Sequence, residues 1–308
     1  MTRTTIITAA LLLQYSSICP ASPIDDAWPL ADRVAWQASL DAAGFSPGVV
    51  DGRIGRKTET ATREFQYARG LQVTGVLDTP TARALGWDSR TAFTTCTIQA
   101  EDLAQVGHLP KDWNEKARLT RLPYPSLEEL VAERYHCSRA LLAELNPGKS
   151  MANLRAGDTL KVPAVRPPAA APAVAALQVH LNDKIVRAVT ADGKTAAMFN
   201  CSVAADARNF PSGRTSVVII QENPAYSFDP AKWPEVHNVS RKLLIPPGPR
   251  NPVGLCWIGL GLAGYGIHGT PAPENIGKTG SHGCIRLTNW DALRLGKMVR
   301  VGTPVTFK

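Results

Sequence analysis

Apolar residues follow helical spacing in the first third of the chain. Val34 to Ala43 carries a stripe with this period, and Gly44 ends it. After a turn-rich loop, Thr58 is the expected N-cap of a second helix that runs to Arg69. Residues Thr79 to Leu85 fit a short third helix. The pattern therefore predicts a small three-helix unit within residues 30–90.

The next part of the chain has a weaker pattern. Leu127 to Tyr135 and Arg139 to Leu145 have helical spacing, and Asn146-Pro147-Gly148 stops the second helix. A short closing strand is expected between Leu154 and Pro163. No opening strand is recognisable upstream. Residues 96–164 are therefore predicted as a small α/β module.

A proline- and alanine-rich run at residues 165–176 cannot build a core and is predicted to be an extended linker. From residue 177 to 308, short β-rich runs alternate with turns. The predicted strands are 177–179, 184–189, 196–203, 215–220, 243–244, 253–260 and 303–307. Only Asp291 to Met298 is convincingly helical. The fold class is thus multidomain α+β with a β-rich C-terminal domain.

Composition supports a globular chain of several domains. The 308 residues are 44% hydrophobic and 19% charged, and this length suits two or three domains. The formal net charge of +8 favours an acidic partner, such as nucleic acid, anionic lipid or a cell-wall polymer. The lysines and arginines are scattered and no nucleic-acid recognition motif is present, so nucleic acid is not the expected partner.

The first residues have the features of an export signal, predicted over residues 1–22. Arg3 supplies a positive charge, Ile6 to Leu13 is a short apolar run, and small residues around Ala21 offer a cleavage site. A frayed N-terminus is the alternative. The run is too short to span a bilayer and no other stretch is long enough, so no membrane span is expected. Export would place the protein in the periplasm or cell wall.

Six cysteines are present, and cleavage of the signal would remove Cys19. An odd count in an exported chain suggests paired cysteines plus one reactive thiol. The expected pairs are Cys96–Cys137 and Cys201–Cys256, which leaves Cys284 as the reactive thiol. Buried free thiols are the alternative.

Cys284 lies in the most informative stretch of the chain, Ser281-His282-Gly283-Cys284-Ile285-Arg286-Leu287, shortly after Ile267-His268-Gly269-Thr270. An imidazole can take the proton of a thiol, and glycines let backbone N–H groups approach an oxyanion. These are the parts of an acyl-transfer enzyme with a cysteine nucleophile. A zinc site is the alternative, but Asp and Glu are sparse here and no second cysteine is near, so no metal or other cofactor is expected.

The three-helix unit resembles the peptidoglycan-binding domain of the three-helix type that occurs in many wall enzymes. The matching residues are Gln37, Leu40, Gly44, Gly48, Asp51-Gly52, Gly55, Thr58, Ala61, Phe65-Gln66, Gly70-Leu71, Thr74-Gly75 and Thr81. Most of them are turn or core residues, so the motif indicates the fold more than the binding. A structural module without a ligand is the alternative.

The run from Leu127 to Pro163 resembles a LysM module, a small glycan-binding fold. A helical spacer held by a disulfide is the alternative for this part of the chain.

Residues 177–308 resemble the catalytic domain of L,D-transpeptidases of the YkuD type, which implies a β-sandwich. The motifs that carry the resemblance are Pro211-Ser212-Gly213, Pro252-Val253-Gly254, Tyr265-Gly266-Ile267-His268-Gly269-Thr270, Ser281 to Leu287 and Val301-Gly302-Thr303-Pro304-Val305. The resemblance implies peptidoglycan as the partner and carbapenems as covalent inhibitors.

The chemistry and the resemblance together suggest a role for each residue. Cys284 would be the nucleophile and His268 the general base, with the backbone carbonyl of Gly269 orienting its other ring nitrogen. The N–H groups of Gly283 and Cys284 would form the oxyanion hole, and His282 would flank the nucleophile. The expected substrate-binding residues are Arg286, Ser281, Thr270 and Tyr265.

By resemblance, the thiolate attacks the carbonyl of the third residue of a peptidoglycan stem and expels D-alanine. An amine of a second stem then takes the acyl group, which gives a 3→3 cross-link. Water as acceptor would make the enzyme an L,D-carboxypeptidase, a protein lysine would anchor a protein to the wall, and a free D-amino acid would be exchanged. A non-catalytic wall-binding protein is the alternative from another class.

Overall fold

The structure is a computed structural model that describes residues 28–167, 173–233, 236–278, 280 and 283–308. The predicted export signal at residues 1–22 lies outside the described residues, as do residues 168–172 of the predicted linker. In the described part of the chain, no helix combines the length and the apolar character that crossing a membrane requires.

The helical segment, residues 28–88, contains α1 (Leu30–Ala42), α2 (Arg56–Ala68) and α3 (Thr79–Leu85). The N-cap of α2 is Gly55, not the predicted Thr58. The Thr58 side chain is buried, and its hydroxyl accepts a hydrogen bond from the amide of Gln37 at 3.3 Å. Gln37 also accepts from the backbone N–H groups of Asp51 and Gly52, at 3.0 and 2.8 Å. These motif residues therefore hold the turn between α1 and α2.

The middle segment, residues 93–163, is enclosed by two antiparallel strands, β1 (Phe93–Thr97) and β2 (Thr159–Pro163). Between them lie α4 (Ala100–Leu103), α5 (Trp113–Arg118), α6 (Leu127–Arg134) and α7 (Arg139–Leu145). The sequence did not reveal β1, because only Cys96 of its five residues is buried and no apolar alternation results. Residues 98–126, which we call the insert, separate β1 from α6.

The sheet segment, residues 176–307, contains most of the β structure. Its elements are β3 (Ala176–His180), β4 (Ile185–Val189), β5 (Thr195–Asn200), β6 (Arg214–Glu222), β7 (Tyr226–Phe228), β8 (Leu243–Ile245), β9 (Cys256–Leu260), β10 (Gly266–His268), β11 (Ile285–Arg286), α8 (Asn289–Met298) and β12 (Pro304–Phe307). Eight strands form one sheet in the order β11-β10-β9-β6-β12-β3-β4-β5, whereas β7 and β8 form a separate hairpin.

The eight-stranded sheet curls until its two edges meet. Ser202, just after β5, exchanges two backbone hydrogen bonds with Arg286 of β11, at 2.9 and 2.8 Å. Apolar side chains from both ends of the sheet and from α8 form one core, which includes Phe199, Ile267 and Leu295. The predicted mixed α+β fold with a β-rich domain is confirmed, and a single curled sheet supplies both of its layers.

The predicted disulfides are wrong, because none of the five described cysteines is bonded to another. Cys96 and Cys137 lie in the core of the middle segment, and Cys201 and Cys256 lie in the core of the sheet segment. Cys137, Cys201 and Cys256 pack as small apolar groups, whereas Cys96 also forms hydrogen bonds with Arg134 and Tyr135. Burial raises the pKa of Cys137 to about 12 and that of Cys256 to about 11, so these two thiols stay protonated at neutral pH.

The three segments pack against one another through shared cores. Trp36 and Phe65 of the helical segment lie in one cluster with Ile185 and Met198 of the sheet segment. A second cluster joins α1 to the middle segment, and a third joins the insert to the β7–β8 hairpin. In addition, Arg187 on β4 makes two hydrogen bonds to the carboxylate of Glu64 on α2, at 2.7 and 2.6 Å.

Candidate active site

Two adjacent parallel strands bring His268 and Cys284 to the same face of the sheet. Ile267 of β10 pairs with Ile285 of β11, and both side chains are fully buried in the core. Because side chains alternate along a strand, His268 and Arg286 point to the opposite face. Cys284 directly precedes β11, so the same alternation places its thiol on that face, with partial exposure to solvent.

The ring of His268 is buried and held by the backbone. Its Nδ1 lies 2.6 Å from the carbonyl oxygen of Gly269. A carbonyl only accepts, so Nδ1 carries the proton and Nε2 of the neutral ring is left as a base. Burial and, to a smaller extent, the charge of Arg286 lower the pKa of His268 to about 4, although the hydrogen bond to Gly269 opposes them. The ring is therefore neutral at physiological pH.

Trp257 covers His268, and the sequence analysis did not find it. It pairs with His268 across β9 and β10, and the two rings stack with centroids 5.6 Å apart. The indole also lies over Gly266, where a Cβ would come within 2.5 Å of the ring, and beside Gly259. Because these two glycines have no side chain, the indole ring fits against the strands. Their positions in the sequence were the signal from which Trp257 could have been found.

The thiol of Cys284 lies 3.5 Å from the backbone oxygen of Gly264. Next to it, Gly283 faces the ring of Tyr265, with a Cβ position 3.2 Å from the ring edge. The Tyr265 hydroxyl donates to the backbone oxygen of Asn209 at 3.2 Å. Tyr265 therefore packs against the loop that carries the Cys284 thiol. Its hydroxyl connects this loop to the one before β6.

Arg286 and Tyr226 lie on the thiol side of the site. The guanidinium of Arg286 donates to the backbone oxygen of Gly280 at 3.2 Å. Burial raises the pKa of Tyr226, a hydrogen bond from Trp233 lowers it, and the negative charge of Cys284 raises it. Tyr226 on the β7–β8 hairpin is thus close enough to Cys284 for electrostatic interaction, although no motif in residues 223–242 had indicated it.

Three other expected site residues have different outcomes. Thr270 is buried, and its hydroxyl accepts from the N–H of Ala272 at 3.3 Å, which places it inside a turn. Ser281 and His282 lie outside the described residues. Over the described ranges, no three His, Cys, Asp or Glu side chains cluster so that they could hold a metal ion.

Comparisons with known proteins give this arrangement its family. Residues 175–307 match the L,D-transpeptidase catalytic domain (YkuD), and residues 30–85 match a putative peptidoglycan binding domain. A putative L,D-transpeptidase YkuD of Bacillus licheniformis is 30% identical over 184 residues, which cover 60% of this chain and 94% of the relative. The corresponding protein of Bacillus subtilis is 27% identical over 57% of this chain and 90% of its own length. The chain belongs to the L,D-transpeptidase family and is an enzyme of that type.

Solved structures give more distant similarities. An L,D-transpeptidase from Xylanimonas cellulosilytica is 17% identical, with a TM-score of 0.38 over 94% of this chain and 100% of that chain. The L,D-transpeptidase LdtMt1 in complex with imipenem is also 17% identical, with a TM-score of 0.34 over 49% of this chain and 62% of that chain.

Proposed function

We propose that this protein is an exported peptidoglycan L,D-transpeptidase that forms an acyl-enzyme on Cys284. The observation that carries the proposal is the hydrogen bond of 2.6 Å between Nδ1 of His268 and the backbone oxygen of Gly269. His268 lies on β10, and β10 pairs with β11, the strand that Cys284 directly precedes. This bond leaves Nε2 as the free base on the face that the thiol shares.

The proposed reaction begins when Nε2 of His268 takes the proton of the Cys284 thiol. The thiolate attacks the carbonyl carbon of the third stem residue, and the N–H groups of Gly283 and Cys284 receive the developing oxyanion. The C–N bond to the terminal D-alanine then breaks, and His268 returns the proton to the leaving amine. The positive charge of Arg286 suits a carboxylate of the stem.

The second half of the reaction regenerates the thiol. An amine of a second stem attacks the thioester, loses its proton to His268, and expels the thiolate to give the 3→3 cross-link. Water, a protein lysine or a free D-amino acid would use the same acyl-enzyme. Incubation with a purified tetrapeptide muropeptide separates transfer to a stem from hydrolysis by mass, because the first gives a dimer and the second a tripeptide.

The other segments suggest where the enzyme works. The putative peptidoglycan binding domain match, residues 30–85, lies within the helical segment, and the middle segment places two helices, α6 and α7, between two antiparallel strands. This order supports the proposed LysM-like module, with the insert added after its first strand. Binding to peptidoglycan, together with the export signal expected at residues 1–22, supports a location in the periplasm or cell wall.

The decisive test is the intact mass of the purified mature protein after incubation with imipenem. We expect a single adduct in the wild type and none in a Cys284→Ala variant, because the buried thiols are shielded and at least two of them stay protonated. Circular dichroism confirms that both proteins are folded. A folded, reduced wild type that forms no adduct, or an adduct that persists in the variant, would contradict the proposed nucleophile.

A further inference from the structure

We propose that Glu133, on α6 of the middle segment, is a positioning residue for His268 and acts through the side chain of Asn289 and the backbone of Gly269. The inference rests on the proposed acyl transfer at Cys284. It goes beyond that function, because it assigns part of the site to a segment outside the catalytic sheet.

The first step joins His268 to Asn289, the first residue of α8. The backbone oxygen of Gly269, which accepts from His268, belongs to a residue packed directly against Asn289. A Cβ at Gly269 or at Gly254 would collide with Oδ1 of Asn289. The same Oδ1 accepts from the N–H of Leu255 at 3.0 Å. Asn289 therefore fixes the backbone that orients the His268 ring.

The second step joins Asn289 to Glu133. The side-chain nitrogen of Asn289 lies 3.1 and 3.2 Å from the two carboxylate oxygens of Glu133, and 3.4 Å from the backbone oxygen of Pro249. An ionised carboxylate only accepts, so it holds the amide with its nitrogen towards Glu133 and its oxygen towards Leu255. Without Glu133, only the N–H of Leu255 and the backbone oxygen of Pro249 would select this orientation over the flipped one.

Glu133 is itself held in place. The Tyr124 hydroxyl donates to one carboxylate oxygen at 2.9 Å. The pKa of Glu133 is raised to about 7 because burial outweighs the hydrogen bonds from Tyr124 and Asn289, which lower it, and the charges of Glu129 and His136 act in opposite directions. A carboxyl group this close to neutrality can be replaced by the amide of glutamine at a small electrostatic cost. Glu133→Gln is therefore the conservative variant.

The matched control is Glu64→Leu. Glu64 also joins another segment to the sheet, through its pair of hydrogen bonds to Arg187, and its contacts do not include His268 or Asn289. A loss of activity that follows from looser packing of the segments should appear in Glu64→Leu as well. A loss that follows from the orientation of His268 should appear only in Glu133→Leu.

The experiment measures acylation by imipenem as a first-order rate constant at saturation, kinact, and a half-saturation constant, KI. We expect Glu133→Leu to lower kinact by about tenfold or more with little change in KI, because small misplacements of a reacting group are costly. Glu133→Gln should restore most of the rate, and Glu64→Leu should keep it. The ultraviolet absorbance of the Cys284 thiolate, taken as a difference from Cys284→Ala, should develop at higher pH in Glu133→Leu.

Each outcome has one meaning. A wild type that is not acylated would overturn the proposed function itself. A wild type that is acylated, with Glu133→Leu equally fast, would overturn only the role of Glu133. Equal losses in Glu133→Leu and Glu64→Leu would also overturn it, in favour of general loosening. If Glu133→Leu does not fold, Glu133→Asp carries the same expectation, because it keeps the charge but falls short of Asn289.

Discussion

At the scale of single residues, the proposed chemistry depends on how His268 is kept neutral. The ring is 4% exposed, Trp257 stacks on it, and Arg286 adds a positive charge nearby. The burial of the ring and the charge of Arg286 disfavour the imidazolium form. Because the pKa of His268 falls to about 4, its ring stays unprotonated at pH values well below the ordinary pKa of histidine.

This shift predicts the acid limb of the activity profile. As the pH falls, the rate of Cys284 acylation should stay level through pH 6.5, the ordinary pKa of histidine, and decline only near pH 4, where His268 takes up its proton. The measurement is kinact/KI for imipenem from pH 3.5 to 8, in steps of about 0.5 pH unit. Recovery of full activity after return to pH 7 controls for acid unfolding. A decline in the acylation rate centred near pH 6.5 would contradict a buried, neutral His268 ring.

The sequence was sufficient to predict the contact that lies within a local motif. Cys284, His268 and the Gly269 carbonyl lie within short runs, and the hydrogen bond between His268 and Gly269 joins neighbouring residues. Trp257 and Glu133 could not be found in this way. Their contacts with the site arise from strand pairing and from segment packing, which bring together residues far apart in the chain.

At the scale of elements, the insert supports the β7–β8 hairpin. Trp113 on α5 stacks on Phe228 of β7 with ring centroids 4.3 Å apart and planes at 20°. Leu122 of the insert is fully buried in the same cluster, and its N–H donates to the backbone oxygen of Pro247 at 2.8 Å. The hairpin carries Tyr226, so the insert holds an element whose tyrosine interacts electrostatically with Cys284.

We expect Trp113→Ala to loosen this hairpin selectively. Trp113 is partly buried, so losing its side chain should cost less than the about 3–5 kcal/mol of a fully buried aromatic residue, and the stacked partner Phe228 would lose its cover. Hydrogen–deuterium exchange should therefore accelerate in Tyr226–Phe228 and Leu243–Ile245 while the eight-stranded sheet is unchanged. Trp113→Phe, which keeps an aromatic ring, should exchange nearly as slowly as the wild type. Unaltered exchange in Trp113→Ala would show that the hairpin is stable without the insert.

The sequence predicted elements well where the apolar pattern was long. The strands with buried alternation or continuous apolar runs, such as β4 and β5, were found close to their observed bounds. Strands β10 and β11 have only three and two residues, too few for a period to show. Strand β1 has a single buried residue, and its partner is at the far end of the middle segment.

At the scale of the whole molecule, the three segments do not have separate cores. The side chains of Ile185 and Met198 on the sheet are 1% and 0% exposed because the helical segment covers them. Removing that segment would expose both, together with Arg187, whose carboxylate partner is Glu64. The stability of each segment therefore depends on its neighbours.

This dependence predicts a single cooperative unfolding transition for the full chain. Differential scanning calorimetry should give one peak, with a calorimetric enthalpy close to the van't Hoff value. Glu64→Leu should lower the temperature of that peak, because it leaves Arg187 partly buried without its carboxylate. Two resolved peaks in the wild type would mean that the helical and sheet segments unfold independently.

The packing of the helical segment against the sheet also determines how the enzyme can search for substrate. A binding domain on a flexible linker lets a catalytic domain sample a sphere whose radius grows with linker length. Here the ion pair between Glu64 and Arg187 and the shared core fix the direction from the helical segment to Cys284. If that segment holds a glycan strand, the thiol can reach only stems at one distance and on one side of it. New cross-links would then form at a set offset from each point of attachment, and geometry rather than chance encounter would select the stem.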